Sequence, residues 1–432
     1  MTGDQTPMVA GRLLSRFTAT AAAVLVVLPA VLAGCGSGSG STDGAGGAGE
    51  CPPAPGVTAD TIRIGLVYPD SGGGIATGFR ATPSAVSARI GAANAAGGVH
   101  GRQVVIEWRD DESNPEKFQR EAQSLVDDGQ GNGVFALLAQ SLVASGSFQW
   151  LRDNDIPVVG VATDVNWSSY SNVFHFGNIF LPGSITTYGE FVKSRGATKA
   201  FLIVDPQAPA ARDVLTKFAP SLEHAGVDVV GQSNVTLNIS SPKQVAEAVR
   251  RSGADALVGA VQGQAFIDIF AELKGMGVDL KASLSAEGYH PEQLADKGQQ
   301  MAGLTVMIAY ATFDEQTPAM QRLMNDMYAY APELDDRTGE IALAGYTAAD
   351  LMLLGLERAG PCPTRESFMT NLRQVHDYDG GGLLAGVDLG RLDQPMSCFY
   401  FLQVNQAGDR FEMIPGNRPG GDWCGDPIPA AG

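Results

Sequence analysis

Continuous apolar strands that alternate with helices most strongly constrain the fold of this chain. The runs Ile62–Tyr68, Val134–Ala139 and Val158–Val161 are apolar at almost every position, and Pro115–Asp127 carries its apolar residues at helical spacing. Strands that are apolar on both faces are typical of parallel sheets covered by helices on both sides. Two such series, one before and one after about Val173, predict an α/β protein with two Rossmann-like lobes and mostly parallel sheets.

The last third of the chain has a different pattern. Ala302–Thr312 is a strand-like run long enough to pass from one lobe to the other. Helical segments follow it, and Cys398–Val404 and Phe411–Ile414 have the pattern of a closing hairpin. With 44% hydrophobic residues, the chain has enough apolar surface for two or three core-sized units.

The N-terminal segment has the features of an export signal. A basic stretch precedes the apolar run Ala19–Ala33, which is too short to span a bilayer comfortably. Leu32-Ala33-Gly34-Cys35 resembles the bacterial lipoprotein signal, in which the cysteine is lipidated; an ordinary signal with a chance cysteine is the alternative. We therefore predict a signal peptide over 1–34, then a lipidated Cys35 and a flexible linker over 35–56. The location implied is the outer face of the cell membrane.

The charge balance restricts the partners. The chain has 47 acidic residues against 29 Lys and Arg, a formal net charge of −18. A surface of this sign repels nucleic acid and anionic lipid head groups, so we expect neither as a partner. The acidic residues are spread along the chain rather than gathered in a tail, which is also what solubility alone would require.

The cysteine count suggests disulfides. With Cys35 set aside, Cys51, Cys362, Cys398 and Cys424 remain, and an even number in an exported chain predicts two disulfides. Four cysteines allow three pairings. A metal site is the rival interpretation, but none of the four stands in a CxxC pair and no His lies near them in sequence, so we expect no metal and no cofactor.

One segment carries a resemblance to a known family. Asn94–Asp111 reads NAAGGVHGRQVVIEWRDD and is similar to the type I periplasmic solute-binding proteins, the family that contains the leucine/isoleucine/valine-binding proteins. There a helix ends in a glycine-rich turn, followed by a strand and paired aspartates. Further matches are Ile156–Val159 and Glu287-Gly288, and the likeness extends from Thr58 to about Val404.

The resemblance implies two lobes joined by three crossing segments, with a ligand held between them. It places the first lobe at 57–172 plus 303–395 and the second lobe at 173–302 plus 396–432. The crossings would lie near Val173–Gly177, Val306–Thr312 and Met396–Val404. Within this architecture the pairing Cys51–Cys362 with Cys398–Cys424 is favoured over the two other pairings.

The resemblance also implies ligand contacts from the first lobe. Gln140 and Ser141 follow the strand Val134–Ala139, and in the family a serine at this position grips the ligand carboxylate. Thr163 and Asp164 follow the next strand, with Trp167 close behind. An ordinary helix cap at Ser141 and core packing of Trp167 are the structural alternatives.

Other candidates lie elsewhere in the chain. Glu287 matches a glutamate that neutralises the ligand ammonium in amino-acid-binding relatives, which would complete a clamp for a zwitterion with Ser141; a surface carboxylate is the alternative. Ser71 and Phe79 belong to the first strand-to-helix loop. Tyr346, near the start of a helix, is a further candidate, for which core packing is equally compatible with the sequence.

Two features complete the interpretation. Where amino-acid-binding relatives place tyrosines in the second lobe, this chain has Pro206–Ala210 and Gly259–Gln262, so we expect those rings to be missing. The aspartate pairs Asp110-Asp111 and Asp335-Asp336 are interpreted as solvated turns.

The resemblance implies a binding protein and not an enzyme. It would be a monomeric lipoprotein that delivers a small polar solute, such as an amino acid or a related amide or carboxylate, to an ABC permease. A sensor that signals to a membrane partner without transport is the first alternative. An extracytoplasmic enzyme on the same scaffold is the second, although no GxSxG or other nucleophile motif is present.

Overall fold

The computed structural model describes residues 51–429, apart from 73–78, 128, 130, 132, 207–208, 288, 314–316 and 335–336. The predicted signal peptide, Cys35, most of the linker and the pair Asp335-Asp336 lie outside the described residues. Among the helices that are described, none is long and apolar enough to cross a membrane.

Strands and helices alternate as predicted over most of the chain. The strands are β1 Thr61–Tyr68, β2 Gln103–Asp110, β3 Ala136–Ala139, β4 Val158–Gly160, β5 Val173–His175, β6 Ser184–Ile185, β7 Lys199–Val204, β8 Asp228–Asn234, β9 Ala256–Ala260, β10 Ala282–Ser285, β11 Thr305–Ile308, β12 Cys398–Val404, β13 Phe411–Ile414, β14 Trp423–Cys424 and β15 Pro427–Ile428. The α-helices are α1 Thr82–Ala95, α2 Pro115–Val126, α3 Phe148–Asp153, α4 Thr187–Ser194, α5 Pro209–His224, α6 Pro242–Ser252, α7 Gly263–Gly275, α8 Leu294–Met301, α9 Pro318–Tyr330, α10 Glu340–Ala359 and α11 Arg365–Leu372.

The first sheet is entirely parallel, with strand order β2-β1-β3-β4-β5. Ile64 pairs with Ile106 on one side and with Ala136 on the other. β3 and β4 are buried at every position, as expected for central strands covered on both faces. Two hydrophobic clusters flank this sheet, and helices α9, α10 and α11 contribute to one of them.

The second sheet is mixed, with strand order β13-β12-β11-β10-β9-β7-β8. The pairs from β8 to β11 are parallel, whereas β12 is antiparallel to both β11 and β13. The predicted hairpin of Cys398–Val404 with Phe411–Ile414 is thus present. Two clusters again cover the sheet, so the predicted α/β class with mostly parallel sheets is confirmed.

The strand pairings change the expected assignments at two crossings. Val173–His175 pairs with β4 in the first sheet, whereas the prediction assigned residues from 173 onward to the second lobe. Thr305–Ile308 pairs with β10 and β12 in the second sheet, whereas the prediction put 303–395 in the first lobe. The reason is that hydrogen bonding to a neighbouring strand, and not the strand's own apolar pattern, decides which sheet it joins. The division into two lobes itself stays a prediction.

Two disulfides join distant parts of the chain. Cys51 is bonded to Cys362, which follows α10, and Cys398 is bonded to Cys424, so that β12 and β14 are cross-linked. This is the pairing that the resemblance favoured. The Cys398–Cys424 bond lies at the edge of the second sheet at which β11 ends, because β12 runs antiparallel to β11 and Ile308 pairs with Tyr400.

Candidate ligand-binding site

A large cavity lies where two parallel strands of the second sheet end. It has a volume of ≈ 1050 Å³. The segments after β10 and after β11 form two of its walls, and the start of α10 forms a third. Its lining consists of Ile179, Ala286, Glu287, Tyr289, His290, Pro291, Met307, Ile308, Ala309, Tyr310, Phe313, Thr338, Gly339, Glu340 and Phe399. Carboxyl ends of parallel strands are where α/β proteins hold their ligands, so this position fits a binding site.

A row of aromatic rings forms one wall of the cavity. The centroids of Tyr289 and Tyr310 are 6.4 Å apart, and those of Tyr310 and Phe313 are also 6.4 Å apart. Phe411 supports the row from behind, with its centroid 5.0 Å from that of Tyr289. These rings come from segments other than Pro206–Ala210 and Gly259–Gln262, which contain no tyrosine. Tyr289, Tyr310 and Phe313 lie in the segments that follow β10 and β11, so their position could be read from the chain order.

Two carboxylates lie on the cavity wall. Glu340 is the first residue of α10, and its Oε1 accepts a hydrogen bond from the Tyr310 hydroxyl. Burial, and then the neighbouring Glu340 charge, raises the pKa of Tyr310 far above its usual range, so the phenol remains a donor. The cavity thus presents a Glu340 carboxyl group that is held in place by the Tyr310 hydroxyl.

The second carboxylate belongs to Glu287. Within the described part of the chain its carboxylate makes no hydrogen bond and no salt bridge, and the residue is exposed. Partial desolvation raises the pKa of Glu287 although the residue is exposed. The charge of His290 lowers this pKa, and the charge of Asp205 raises it. Glu287 therefore has capacity to accept hydrogen bonds from a bound molecule.

At the described cavity surface His290 is the one basic side chain, and it lies near Glu287. Among the described residues that line the cavity, none is Lys or Arg. The buried Lys217 approaches from outside, but its ammonium group donates to the Ile179 carbonyl. The local field in the cavity accordingly favours positive charge.

The predicted contacts at Gln140 and Ser141 lie in a buried polar group beside the first sheet. Both residues are only 1% exposed, and the Ser141 hydroxyl accepts a hydrogen bond from the Val143 amide at 3.2 Å. The amide nitrogen of the Gln140 side chain is buried without a hydrogen-bond partner. Neither residue lines the cavity.

Asp111 is a member of this group, and its interpretation as a solvated turn was wrong. It is fully buried, its Oδ1 accepts a hydrogen bond from the Ser113 amide at 2.7 Å, and its Oδ2 has no partner. Burial raises the pKa of the Asp111 carboxyl, while Ser141, as a hydroxyl donor, favours its charged form. The Asp110 carboxylate instead accepts hydrogen bonds from the amide and the hydroxyl of Ser71. Asp111 is therefore buried in the protein, whereas Asp110 is only half-buried.

The candidate side chains in the loop after β4 make their contacts with other residues of the protein. Trp167 is completely buried, with its ring centroid 4.9 Å from that of Phe148, and its Nε1 donates to the Thr163 hydroxyl at 3.1 Å. Asp164 accepts hydrogen bonds from the Ser145 hydroxyl at 2.6 Å and from the Asn166 amide at 2.7 Å. The packing alternative for Trp167 is therefore the one the structure favours.

The remaining candidates also lie away from the cavity. The Ser71 hydroxyl donates to Asp110 Oδ2 at 2.6 Å, and Phe79 belongs to a hydrophobic cluster of the first sheet. Tyr346 is fully buried in the same cluster, and its hydroxyl donates to Asp326 at 2.6 Å. Among the predicted contacts, the structure places only Glu287 in the described lining of the cavity.

One described group of side chains has the composition of a metal site. Cys398, Asp422 and Cys424 lie with their ligand atoms within 4.8 Å of one another. Both sulfur atoms are joined in a disulfide, whereas metal binding requires thiolates. The group therefore has a structural role in cross-linking β12 and β14.

Comparisons with known proteins agree with this architecture. A family model described as periplasmic binding protein matches residues 61–409. No curated protein matches the chain. A putative branched-chain amino acid ABC transporter from Rhodospirillum rubrum is similar in structure, with a TM-score of 0.71 and 20% identity over 82% of this chain and 100% of that one.

Two further structures contain ligands. A solute binding protein of an ABC transporter from R. palustris, in complex with 4-hydroxybenzoate, has a TM-score of 0.60 and 17% identity over 85% of this chain and 98% of that one. A branched-chain amino acid transporter substrate binding protein from Streptococcus pneumoniae, in complex with isoleucine, has a TM-score of 0.56 and 18% identity over 82% and 99%. At these identities the likeness concerns the fold.

Proposed function

The chain belongs to the type I periplasmic binding proteins, and from that membership we propose that it is the substrate-binding component of an ABC-type importer. Its role is to capture a small polar solute outside the cell and to present it to the permease. Amino acids and related amides or carboxylates are the class that the sequence resemblance implies. No bond is made or broken in this role.

The cavity after β10 and β11 is the observation that carries this proposal. Its volume of ≈ 1050 Å³ is close to that of typical small-molecule sites. It combines an aromatic wall, which removes an apolar ligand surface from water, with the carboxylates of Glu287 and Glu340, which orient polar groups. A protein with one rigid core and no cavity would offer a solute neither the aromatic wall nor the two carboxylates.

The proposed mechanism is closure of two lobes on the solute. A bound solute that contacts both lobes favours the closed form by the difference between its affinities for the two forms. The permease then recognises the closed form. The candidate hinge consists of residues 176–183, 309–313 and 393–397, which lie between the elements packed on the first sheet and those of the second sheet.

The test starts from the purified protein without added solute. Mass spectrometry of small molecules carried through purification identifies a candidate, and calorimetry measures its affinity. We expect Glu287→Gln to weaken a ligand that carries an ammonium group by more than about 1 kcal/mol, as the loss of a charge-assisted hydrogen bond implies.

Glu223→Gln is the matched control, because Glu223 is an exposed carboxylate on α5 that does not line the cavity. It should leave the affinity unchanged. If both variants bind as the parent does, Glu287 is not a ligand contact. A solute that binds but is not taken up by cells would favour the sensor alternative over import.

A further inference from the structure

We propose that the solute of this cavity is an organic cation, an amine or quaternary ammonium compound with an apolar body, and not an anion or a zwitterionic amino acid. This inference rests on the proposed function, because it assumes that the cavity after β10 and β11 is the solute site. It narrows the solute class on the basis of the charges and rings that the chain presents there.

The charges of the cavity wall are the first argument. Glu287 and Glu340 reach it from two different elements, and no Lys or Arg is found among the described residues that line it. A solute carboxylate placed here would add a third negative charge without a partner, which is costly in a partly desolvated site. A solute ammonium group would pair with acceptors that already exist.

The state of Glu340 is the second argument. The Tyr310 hydroxyl donates to Glu340 Oε1, which holds the carboxylate in place and leaves further lone pairs for another donor. The side-chain carboxylate of Glu287 has no hydrogen-bond or salt-bridge partner within the described residues, whereas its backbone is held by the Ser285 hydroxyl. The two acids therefore differ in role: Glu340 is pre-positioned, and Glu287 is available to adapt to the ligand.

The aromatic row is the third argument. Tyr289, Tyr310 and Phe313 supply neighbouring rings in the same cavity as the acids. Ring faces attract cations, and they also take the apolar body of a solute out of water. An organic cation uses both properties, whereas a simple carboxylate uses only the second.

The fourth argument concerns the group around Asp111. This group contains Ser141, the residue expected to bind the carboxylate of an amino acid. Ser141 would have to receive the ligand carboxylate, yet it is 1% exposed and its hydroxyl interacts with the buried Asp111 carboxyl. A ligand carboxylate at Ser141 would meet that acid. The net charge of −18 acts in the same direction over a longer range, attracting cations and repelling anions.

A thermal-shift screen of the purified protein tests the solute class. Cationic, zwitterionic and anionic solutes that share the same apolar bodies are compared at equal concentration; phenethylamine, phenylalanine and 3-phenylpropionate form one such set. We expect the solutes that raise the melting temperature to be cations. For the strongest of them, Glu287→Gln and Glu340→Gln should each weaken binding about tenfold, as the loss of one charge-assisted contact implies.

Glu223→Gln serves again as the control and should change nothing. Anionic or zwitterionic solutes as the main stabilisers, or a screen in which no cation binds, would overturn the cation proposal. The proposed function survives if any such solute binds and loses affinity in the cavity variants. It fails as well only if no solute of any charge binds and none is carried through purification.

Discussion

At the scale of single residues, His175 shows how burial sets a protonation state. It is the last residue of β5 and is 1% exposed. The Gly177 amide donates to its Nδ1 at 3.3 Å, so Nδ1 carries no proton, and Nε2 lies 3.1 Å from the Ser168 hydroxyl. Burial, and then the charge of Arg373, lowers the pKa of His175 to about 3. The imidazole is therefore neutral at every physiological pH.

This shift predicts a pH dependence of stability. The folded pKa lies below the ordinary value of 6.5, so between those two values the unfolded chain binds a proton that the folded chain does not. The free energy of unfolding should therefore fall as the pH is lowered below 6.5, at up to about 1.4 kcal/mol per pH unit from this residue. Urea unfolding at pH 7.0 and at about pH 5.5 measures the difference.

In His175→Asn that contribution disappears, so the variant should lose less stability between the two pH values than the parent does. His224→Asn is the control, because His224 is exposed at the end of α5. The interpretation fails if His175→Asn and the parent lose the same free energy over this interval.

At the scale of elements, α10 is held by close contacts along almost its whole length. Thirteen of its 20 residues are buried. Gly345 packs against α1, where a Cβ would lie 3.2 Å from the Ala85 Cβ, and Gly355 packs under the Phe368 ring of α11. These two glycines let neighbouring helices approach α10, which positions Glu340 at its first turn on the cavity wall.

Gly355→Ala should therefore destabilise the protein, although alanine is the better helix former. A Cβ at this position would come within 2.2 Å of the Phe368 ring, and overpacking of this kind costs about 1–3 kcal/mol. In the matched variant Gly275→Ala, at the end of α7, a Cβ meets nothing within 4 Å. That variant should be neutral or more stable by up to about 1 kcal/mol. Chemical denaturation of both variants gives the comparison, and equal effects would contradict it.

At the scale of the whole molecule, the described chain is organised around two sheets, and it passes three times between the first sheet with its covering helices α9, α10 and α11 and the second sheet. The passages follow β5 and β11 and precede β12. The Cys51–Cys362 disulfide attaches the end of the predicted linker to the loop after α10. We propose that the part of the chain before this bond tethers the protein to the outer face of the membrane through Cys35.

The tether can be tested by cell fractionation. Cys35→Ala removes the residue that would be lipidated, and each buried methylene of an acyl chain contributes roughly 0.8 kcal/mol to membrane binding. We expect the variant to leave the membrane fraction and to appear in the soluble extracytoplasmic fraction. Ser37→Ala, a change in the same linker, should stay with the membrane. Membrane retention of Cys35→Ala would show that lipidation is not the anchor.

Much of the fold could be predicted because its signals are local. The apolar run of β1 and the Asn114 cap before α2 each depend on residues within a few positions, so they can be read directly from the chain. The sheet membership of Val173–His175 and Thr305–Ile308 could not be read in this way. It depends on hydrogen bonds to strands that are distant in sequence, and several strands offer an equally good apolar partner.

The candidate site likewise contains some residues that sequence order could predict and others that it could not. Glu287 and the aromatic row follow strand ends, and that rule depends on sequence order alone. Trp167 also follows the end of a strand, and Tyr346 lies near the start of a helix, yet both are core residues.

What the sequence by itself determined about this protein is its family, its α/β class and the segments at which a site can form. Only the tertiary structure decided which side chains of those segments face the cavity. The physical reason is that neighbouring residues point to opposite sides of a strand or turn, as the half-buried Asp110 and the fully buried Asp111 show. A difference of one position can therefore exchange a core residue for a ligand contact.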